Sequence, residues 1–288
     1  MRFAHGRRKG NGMNAKELIS SFGARVGGYL PVSCAPRVPV SRTEIPGDAF
    51  VVAFSVPYFT NAESNLAAFA AVPDYHAYAK QIGEALGDYI SGKYPESYLR
   101  VFADVSPFLE TQLSCACGLG VLGDHGMIID EEYSSFVFLG EAVFGLGEEQ
   151  LAAEGFSPAD GVIRYCEHCG QCRRACPTGG IDDKMKCLSS VTQKKGDLSD
   201  EERALLKENL AVWGCDRCIL ACPHTKKPPR GSGIPYFSKD RLGTVFAEDI
   251  LGMSDEEYKR YSFSWRKRDV LVRNLRICGY CREDSEKR

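Results

Sequence analysis

Eight of the thirteen cysteines in this chain fall between positions 166 and 222. The first run reads Cys166-x-x-Cys169-x-x-Cys172-x-x-x-Cys176-Pro177, and the second Cys215-x-x-Cys218-x-x-x-Cys222-Pro223, with Cys187 between them. Thiolates are soft ligands that donate charge to iron. Three of them at this spacing can surround one face of a cube, while the fourth, followed by proline, is aimed at a second cube. Applied here, the rule gives one cluster Cys166, Cys169, Cys172 and Cys222. The other takes Cys176, Cys215 and Cys218, and Cys187 is the available fourth ligand. Two zinc sites could use the same eight residues. The C-x2-C-x2-C-x3-C-P run favours two [4Fe-4S] clusters, and the chemistry is then one-electron transfer.

Other residues carry weaker signals. Cys34, Cys115 and Cys117 read as apolar packing residues, and Cys278-x-x-Cys281 as an unassigned pair. Gly118-x-Gly120-x-x-Gly123 has the letters of a dinucleotide fingerprint, but it follows a helical segment rather than a strand. A glycine-lined loop that admits a large flat or phosphate-bearing ligand is the better expectation. Asp104 ends a strand-like segment just before Ser106-Pro107, so it either caps a turn or supplies a working carboxylate. His76 and His125 read either as hydrogen-bonding residues or as ligands.

These residues need elements to hold them. Positions 14 to 29 suggest a short amphipathic helix, followed by a proline-rich connector to Pro46. Ala49 to Val56 is an apolar run that predicts a buried central strand. Tyr75, Ala79, Ile82, Leu86 and Tyr89 recur at helical spacing over 74–92. Leu99 to Val105 predicts a strand, and Ser106-Pro107 opens a helix ending at Gly118. The apolar segments 127–129 and 136–139 suggest a hairpin. Ser199 with Glu202, and Ser254 with Glu257, are capping boxes. The alternation of strands and helices predicts an α/β (α+β) domain over 14–155. A two-cluster ferredoxin-like domain over 156–230 and an extension over 231–288 follow it.

With 288 residues, 44% apolar and 26% charged, the chain has an ordinary globular composition. A net charge of −2 argues against wholesale electrostatic binding of nucleic acid. No apolar run approaches the ~20 residues of a membrane helix. Arg2, Arg7, Arg8 and Lys9 precede no apolar stretch, so residues 1–13 are expected to be a disordered tail, with Met13 an alternative start. Clustered C-x-x-C pairs without a secretion signal fit a reducing cytoplasm.

Several segments together resemble the epoxyqueuosine reductase family, the cobalamin-dependent enzymes that complete queuosine in tRNA. They are VVAFSVPYF (51–59), DYHAY (74–78), FADVSPFLE (102–110), GLGVLGDHGMII (118–129) and SSFVFLGE (134–141). CEHCGQCRRACPTGGI (166–181), KCLSS (186–190) and GCDRCILACP (214–223) follow in the family's order. The resemblance implies an oxidoreductase with a cobalamin-binding α/β domain and two [4Fe-4S] clusters fed by an external flavodoxin- or ferredoxin-type donor. It implies Asp104 as the proton-donating aspartate. It places Tyr75, Ile128, Leu139 and Ser189, with Gly118, Gly120, Gly123 and His125, around the cobalamin. Asp124 stands where the family usually has Lys, and Thr111 where it usually has Arg. Longer members continue into tRNA-contacting helical repeats, which would begin near 273–277. These departures lower the expectation of tRNA as substrate and admit a smaller one. A two-cluster electron carrier without its own catalysis is the alternative. Reductive dehalogenation is disfavoured by the lack of an export signal. Trp265-Arg266-Lys267-Arg268 is read as a solvated basic face.

Overall fold

The computed structural model describes residues 12–227 and 229–282. Most of the expected tail, residues 1–11, lies outside the described residues. Helix α1 (Ala15–Ser21) starts at a reciprocal cap, in which Asn14 accepts from the Glu17 N–H and Glu17 from the Asn14 N–H. It stops at Gly23, whose φ of 77° is left-handed. The single helix expected over 14–29 is therefore two elements, because strand β1 (Arg25–Pro31) follows at once. Two glycines explain the change. A Cβ on Gly27 would meet the Cys117 carbonyl oxygen at 2.6 Å, and one on Gly28 the Ala159 nitrogen at 2.9 Å. Glycine in a strand marks such a close backbone approach.

Strand β2 (Phe50–Pro57) is buried over all but its first residue. Helices α2 (Ala68–Ala71) and α3 (Tyr75–Lys93), edge strand β3 (Leu99–Phe102) and helix α4 (Glu110–Ala116) follow. Helix α4 begins four residues later than Ser106-Pro107 suggests, and those two residues shape the loop before it. Short strands β4 (Val121–Leu122) and β5 (Ile128–Ile129) pair with each other. The hairpin expected between 127–129 and 136–139 does not form. Residues 137–144 instead make the long strand β6 (Val137–Phe144) between β2 and β3. Its apolar run continues to Phe144, as suits a strand buried between two neighbours, and Gly140 leaves room for the Phe54 ring. The sheet order is β1-β2-β6-β3 and every pairing is antiparallel. The fold is thus α+β within the mixed class.

One face of the sheet packs Val52, Phe54 and Ala142 against Ile82, Leu86 and Ile90 of α3. The other packs Val51, Ala53 and Val143 against Leu113 of α4. Helices α5 (Glu148–Ala153), α6 (Gln171–Ala175), α7 (Leu188–Thr192), α8 (Asp200–Asn209) and α9 (Arg217–Ala221) lead through the cysteine segment. Helices α10 (Pro235–Lys239), α11 (Ala247–Gly252), α12 (Asp255–Tyr258) and α13 (Arg268–Ile277) complete the chain. A separate core joins Leu66 and Ala70 to Leu188, Trp213, Phe263 and Leu275, so the C-terminal helices close over the cysteine segment. Among the described residues no helix is long and apolar enough to cross a membrane.

Glu154 ties the first helices together. Its fully buried carboxylate accepts from the Ala15 N–H (2.8 Å), Tyr89 (2.9 Å), Lys93 (2.6 Å) and Tyr94 (3.0 Å). Burial alone would raise its pKa, but the Lys93 bond and the three others hold it below the ordinary value. A depressed acid lends stability above its unfolded pKa and loses it as pH falls through the folded one. Glu154→Ala is expected to cost roughly 2–4 kcal/mol at pH 7. The cost should shrink as pH drops below the carboxylate range, as checked by denaturant unfolding at both pH values.

Candidate functional site

A cavity of about 920 Å³ opens between one end of the sheet and the cysteine segment. That is at the upper end of the roughly 300–1,000 Å³ range of ligand sites. Strands β5 and β6 contribute Ile128 and Leu139, and helix α7 contributes Ser189. Tyr75 opens α3 and stacks on Phe138, with ring centroids 4.1 Å apart and planes 10° from parallel. Trp265 and Ser264, from the segment before α13, close a further side.

The eight cysteines divide between two cavities. Cys176, Cys187, Cys215 and Cys218 line the large one. Cys166, Cys169, Cys172 and Cys222 line a much smaller one beside it. Burial pushes Cys218 up to about 12, with the neighbouring Cys215 adding to the shift, and burial also raises Cys215, Cys172 and Cys222. Thiols held neutral in this way ionise when a metal takes the proton's place. At Cys176 burial is outweighed by hydrogen bonds from Thr178, Gly180 and Ile181, and its pKa is lowered. The Gly180 N–H donates to its sulfur at 3.2 Å. Bonds of this kind tune cluster potentials.

His125 lines both cavities. Burial lowers its pKa against the pull of Asp124, so it is neutral at pH 7, and its Nδ1 accepts from the Met127 N–H at 3.2 Å. Asp124 itself bonds His168 (2.7 Å) and Arg173 (3.3 Å), tethering the glycine loop to the cysteine segment. Asp124, Cys166 and His168 bring ligand-type atoms within 4.8 Å of one another. His168 and Arg173 already engage the two Asp124 oxygens.

Gly118, Gly120 and Gly123 do not line the cavity, in contrast to the cofactor contact expected of them. Gly118 has a φ of 83° and turns the chain out of α4. A Cβ on Gly120 would sit 2.3 Å from the Ile129 carbonyl oxygen, and one on Gly123 2.6 Å from the His125 ring. The glycines therefore let the β4–β5 hairpin close, and that hairpin presents Ile128 and His125.

Asp104 lies on the cavity rim, two residues beyond the end of β3. It is exposed and its φ is 64°, an uncommon value for a residue with a side chain. Strain of this kind collects at functional sites. His76 Nε2 lies 3.5 Å from Asp104 Oδ2, and its Nδ1 lies 2.7 Å from Asp74 Oδ1. The Asp74 bond raises the His76 pKa against burial, and Asp104 adds to it. The Tyr75 phenol faces Asp104, Glu110, Asp74 and Glu141, and burial with those carboxyls raises its pKa well above the ordinary value. The sequence reading left His76 unassigned. The signal was available, since Asp74 caps α3 through the His76 N–H (2.9 Å) and so fixes the imidazole beside it. Trp265 was also missed. The stretch around it is not a freely solvated face, because Arg266 donates to the Gln193 carbonyl at 2.9 Å and Arg268 to those of Ile250 and Met253.

Residues 165–225 match the family described as a 4Fe-4S double cluster binding domain. Over 212 residues the chain is 29% identical to an epoxyqueuosine reductase of Francisella cf. novicida, covering 70% of this chain and 56% of that one. A Bacillus subtilis epoxyqueuosine reductase is 27% identical over 215 residues, covering 70% and 52%. One from Gloeobacter violaceus is 27% identical over 285 residues, covering 91% and 87%. The chain thus spans about half the length of the first two. A crystal structure of a selenomethionine-labelled epoxyqueuosine reductase superposes with a TM-score of 0.72 at 21% identity, over 92% of this chain and 80% of that one. Another, with an epoxyqueuosine-modified stem loop of tRNA-Tyr, gives 0.71 at 22% identity, over 92% and 79%. The chain thus shares its fold with epoxyqueuosine reductases, carries a double-cluster segment and is similar in sequence to members of that family along most of its length.

Proposed function

We propose that the chain is an oxidoreductase that removes an epoxide oxygen by reduction, acting on epoxyqueuosine in tRNA or on a smaller related epoxide in the cytoplasm. One observation carries this reading. Four of the eight cysteines wall the same cavity whose rim bears Asp104, so an electron source and a carboxyl proton donor face one space. The eight thiols suit two [4Fe-4S] clusters, which supply single electrons from an external donor protein. The cavity's size, the Tyr75–Phe138 stack and the apolar Ile128 and Leu139 suit a corrinoid. Cobalamin, when bound there, supplies the bond-breaking chemistry that side chains lack.

The chain's own residues do the rest. Tyr75 and Phe138 form a flat wall against which a large ring can lie. Asp104 gives a proton to the departing oxygen, and His76 beside it holds the carboxyl toward the cavity. Substrate over the cavity mouth excludes water from Asp104. A relative's structure with a tRNA stem loop supports tRNA as the substrate carrier.

Anaerobic reconstitution with iron, sulfide and cobalamin tests the reading. Retained corrinoid absorption and turnover of epoxyqueuosine RNA are expected. A protein that keeps its clusters but binds no corrinoid is an electron carrier instead.

A further inference from the structure

On the α4 side of the sheet several polar atoms are buried without close partners among the described residues. No hydrogen bond within 3.5 Å reaches either carboxyl oxygen of Glu141 on β6, whose side chain is fully buried with the Ser106 side chain nearby. Ser55 Oγ on β2, Ser114 Oγ on α4 and Oε1 of Glu110 at the start of α4 are in the same condition. Buried polar atoms are rarely left unpaired without a reason. Here they gather behind one wall of the cavity. Glu110 is half-buried between Glu141 and the exposed Asp104, and its carboxyl lies against the Asp104 backbone N–H. The carboxyls thus run from the interior to the rim in the order Glu141, Glu110, Asp104.

The reaction needs such an arrangement. Reducing an epoxide to an alkene takes two electrons and two protons: both carbon–oxygen bonds break, the carbon–carbon double bond forms, and the oxygen leaves as water. The electrons would be supplied singly by a donor protein through clusters held by the eight cysteines. Asp104 can hold only one proton at a time, and covering substrate cuts it off from solvent.

We propose, resting on the reductase reading above, that Glu141 and Glu110 are a proton store behind Asp104. Glu141 holds a proton at rest, and Glu110 passes it to the Asp104 carboxylate after the first donation. The surroundings fit this role. Burial pushes Glu141 up to about 9, with Glu110 adding to the shift and the Ser106 side chain opposing it. Burial pushes Glu110 up to about 7, with Asp104 adding to the shift and His76 opposing it. The other groups facing the pair are Tyr75 from α3 and Cys117 at the end of α4, which burial pushes up to about 12. Both are neutral at pH 7. A charge newly left on Asp104 raises the proton affinity of Glu110 and draws the proton outward.

The test compares wild type, Glu141→Gln and Glu110→Gln, first without substrate. Infrared spectra of the wild type should show a protonated carboxyl at pH 7.5 that is lost in Glu141→Gln. Because a raised acid is destabilising above its unfolded pKa, the Tm of Glu141→Gln should gain on wild type as pH rises from about 5 to 8. Carboxyl NMR of Glu110 should titrate in two steps in wild type and one in Glu141→Gln. With the reconstituted enzyme, turnover in Glu141→Gln should fall roughly tenfold to a hundredfold, part of the 10²–10⁴ that a positioned proton carrier contributes. Its solvent isotope effect should rise, and Glu141→Asp should recover part of the rate. No protonated carboxyl, no pH-dependent Tm gap, or unchanged turnover and isotope effect in Glu141→Gln would each overturn the store. The expected spectra and titrations in a wild type that turns over no epoxide would overturn the reductase reading and leave the store standing.

Discussion

Replacing Cys187 with alanine is expected to halve the iron in anaerobically prepared protein, from about eight atoms per chain to about four. Cys187 lies outside both C-x-x-C runs, and its place on the large cavity with Cys176, Cys215 and Cys218 supports the count that makes it the fourth ligand. The half that goes is the cluster facing the reaction cavity, so turnover should stop although the distant cluster survives. Cys34→Ala, at an exposed cysteine away from both cavities, should leave the iron unchanged. Full iron in Cys187→Ala would remove that cysteine from the ligand set and leave the second cluster short of a thiolate.

Asp104→Asn is expected to lower turnover by about 10²–10⁴ with clusters and corrinoid in place. That corresponds to roughly 3–5 kcal/mol of transition-state stabilisation. Asparagine keeps the shape and tolerates the left-handed backbone at this position, φ 64°, better than most residues. The loss therefore reports the proton and not the loop. Absorption spectra recorded beside the rates separate the two, and a variant with wild-type rates would place the proton source elsewhere.

The grouping of the cysteines was easier to read from the sequence than the scaffold that holds them. Cysteine spacing follows from the geometry of a cube, which is local, so the two sets of four that line the two cavities could be reached by counting. The glycine loop failed for the opposite reason. Close approach of backbone to backbone, as at Gly120 and the Ile129 carbonyl, demands glycine as strongly as a ligand does, and the letters are the same. Strand β1 was taken for helix because Leu18, Ile19 and Phe22 set a helical period that Gly27 and Gly28 break only through contacts distant in sequence. Strand β6 was cut short because its partners, β2 and β3, lie more than thirty residues upstream. Trp265 owes its place to tertiary contacts that no local period encodes, whereas the Asp74 cap that fixes His76 is local. Glu141 was hidden by its setting, since a lone glutamate in FVFLGEAVF carries no sign of which way its side chain points.

The core that joins Leu66 and Ala70 to Trp213, Phe263 and Leu275 has a consequence for timing. A chain emerging from the ribosome exposes its N-terminal sheet first. The cavity cannot exist at that stage, because Cys215, Cys218 and Trp265 have yet to be made. A group that fills the cavity can therefore be enclosed only after Trp265 has been made.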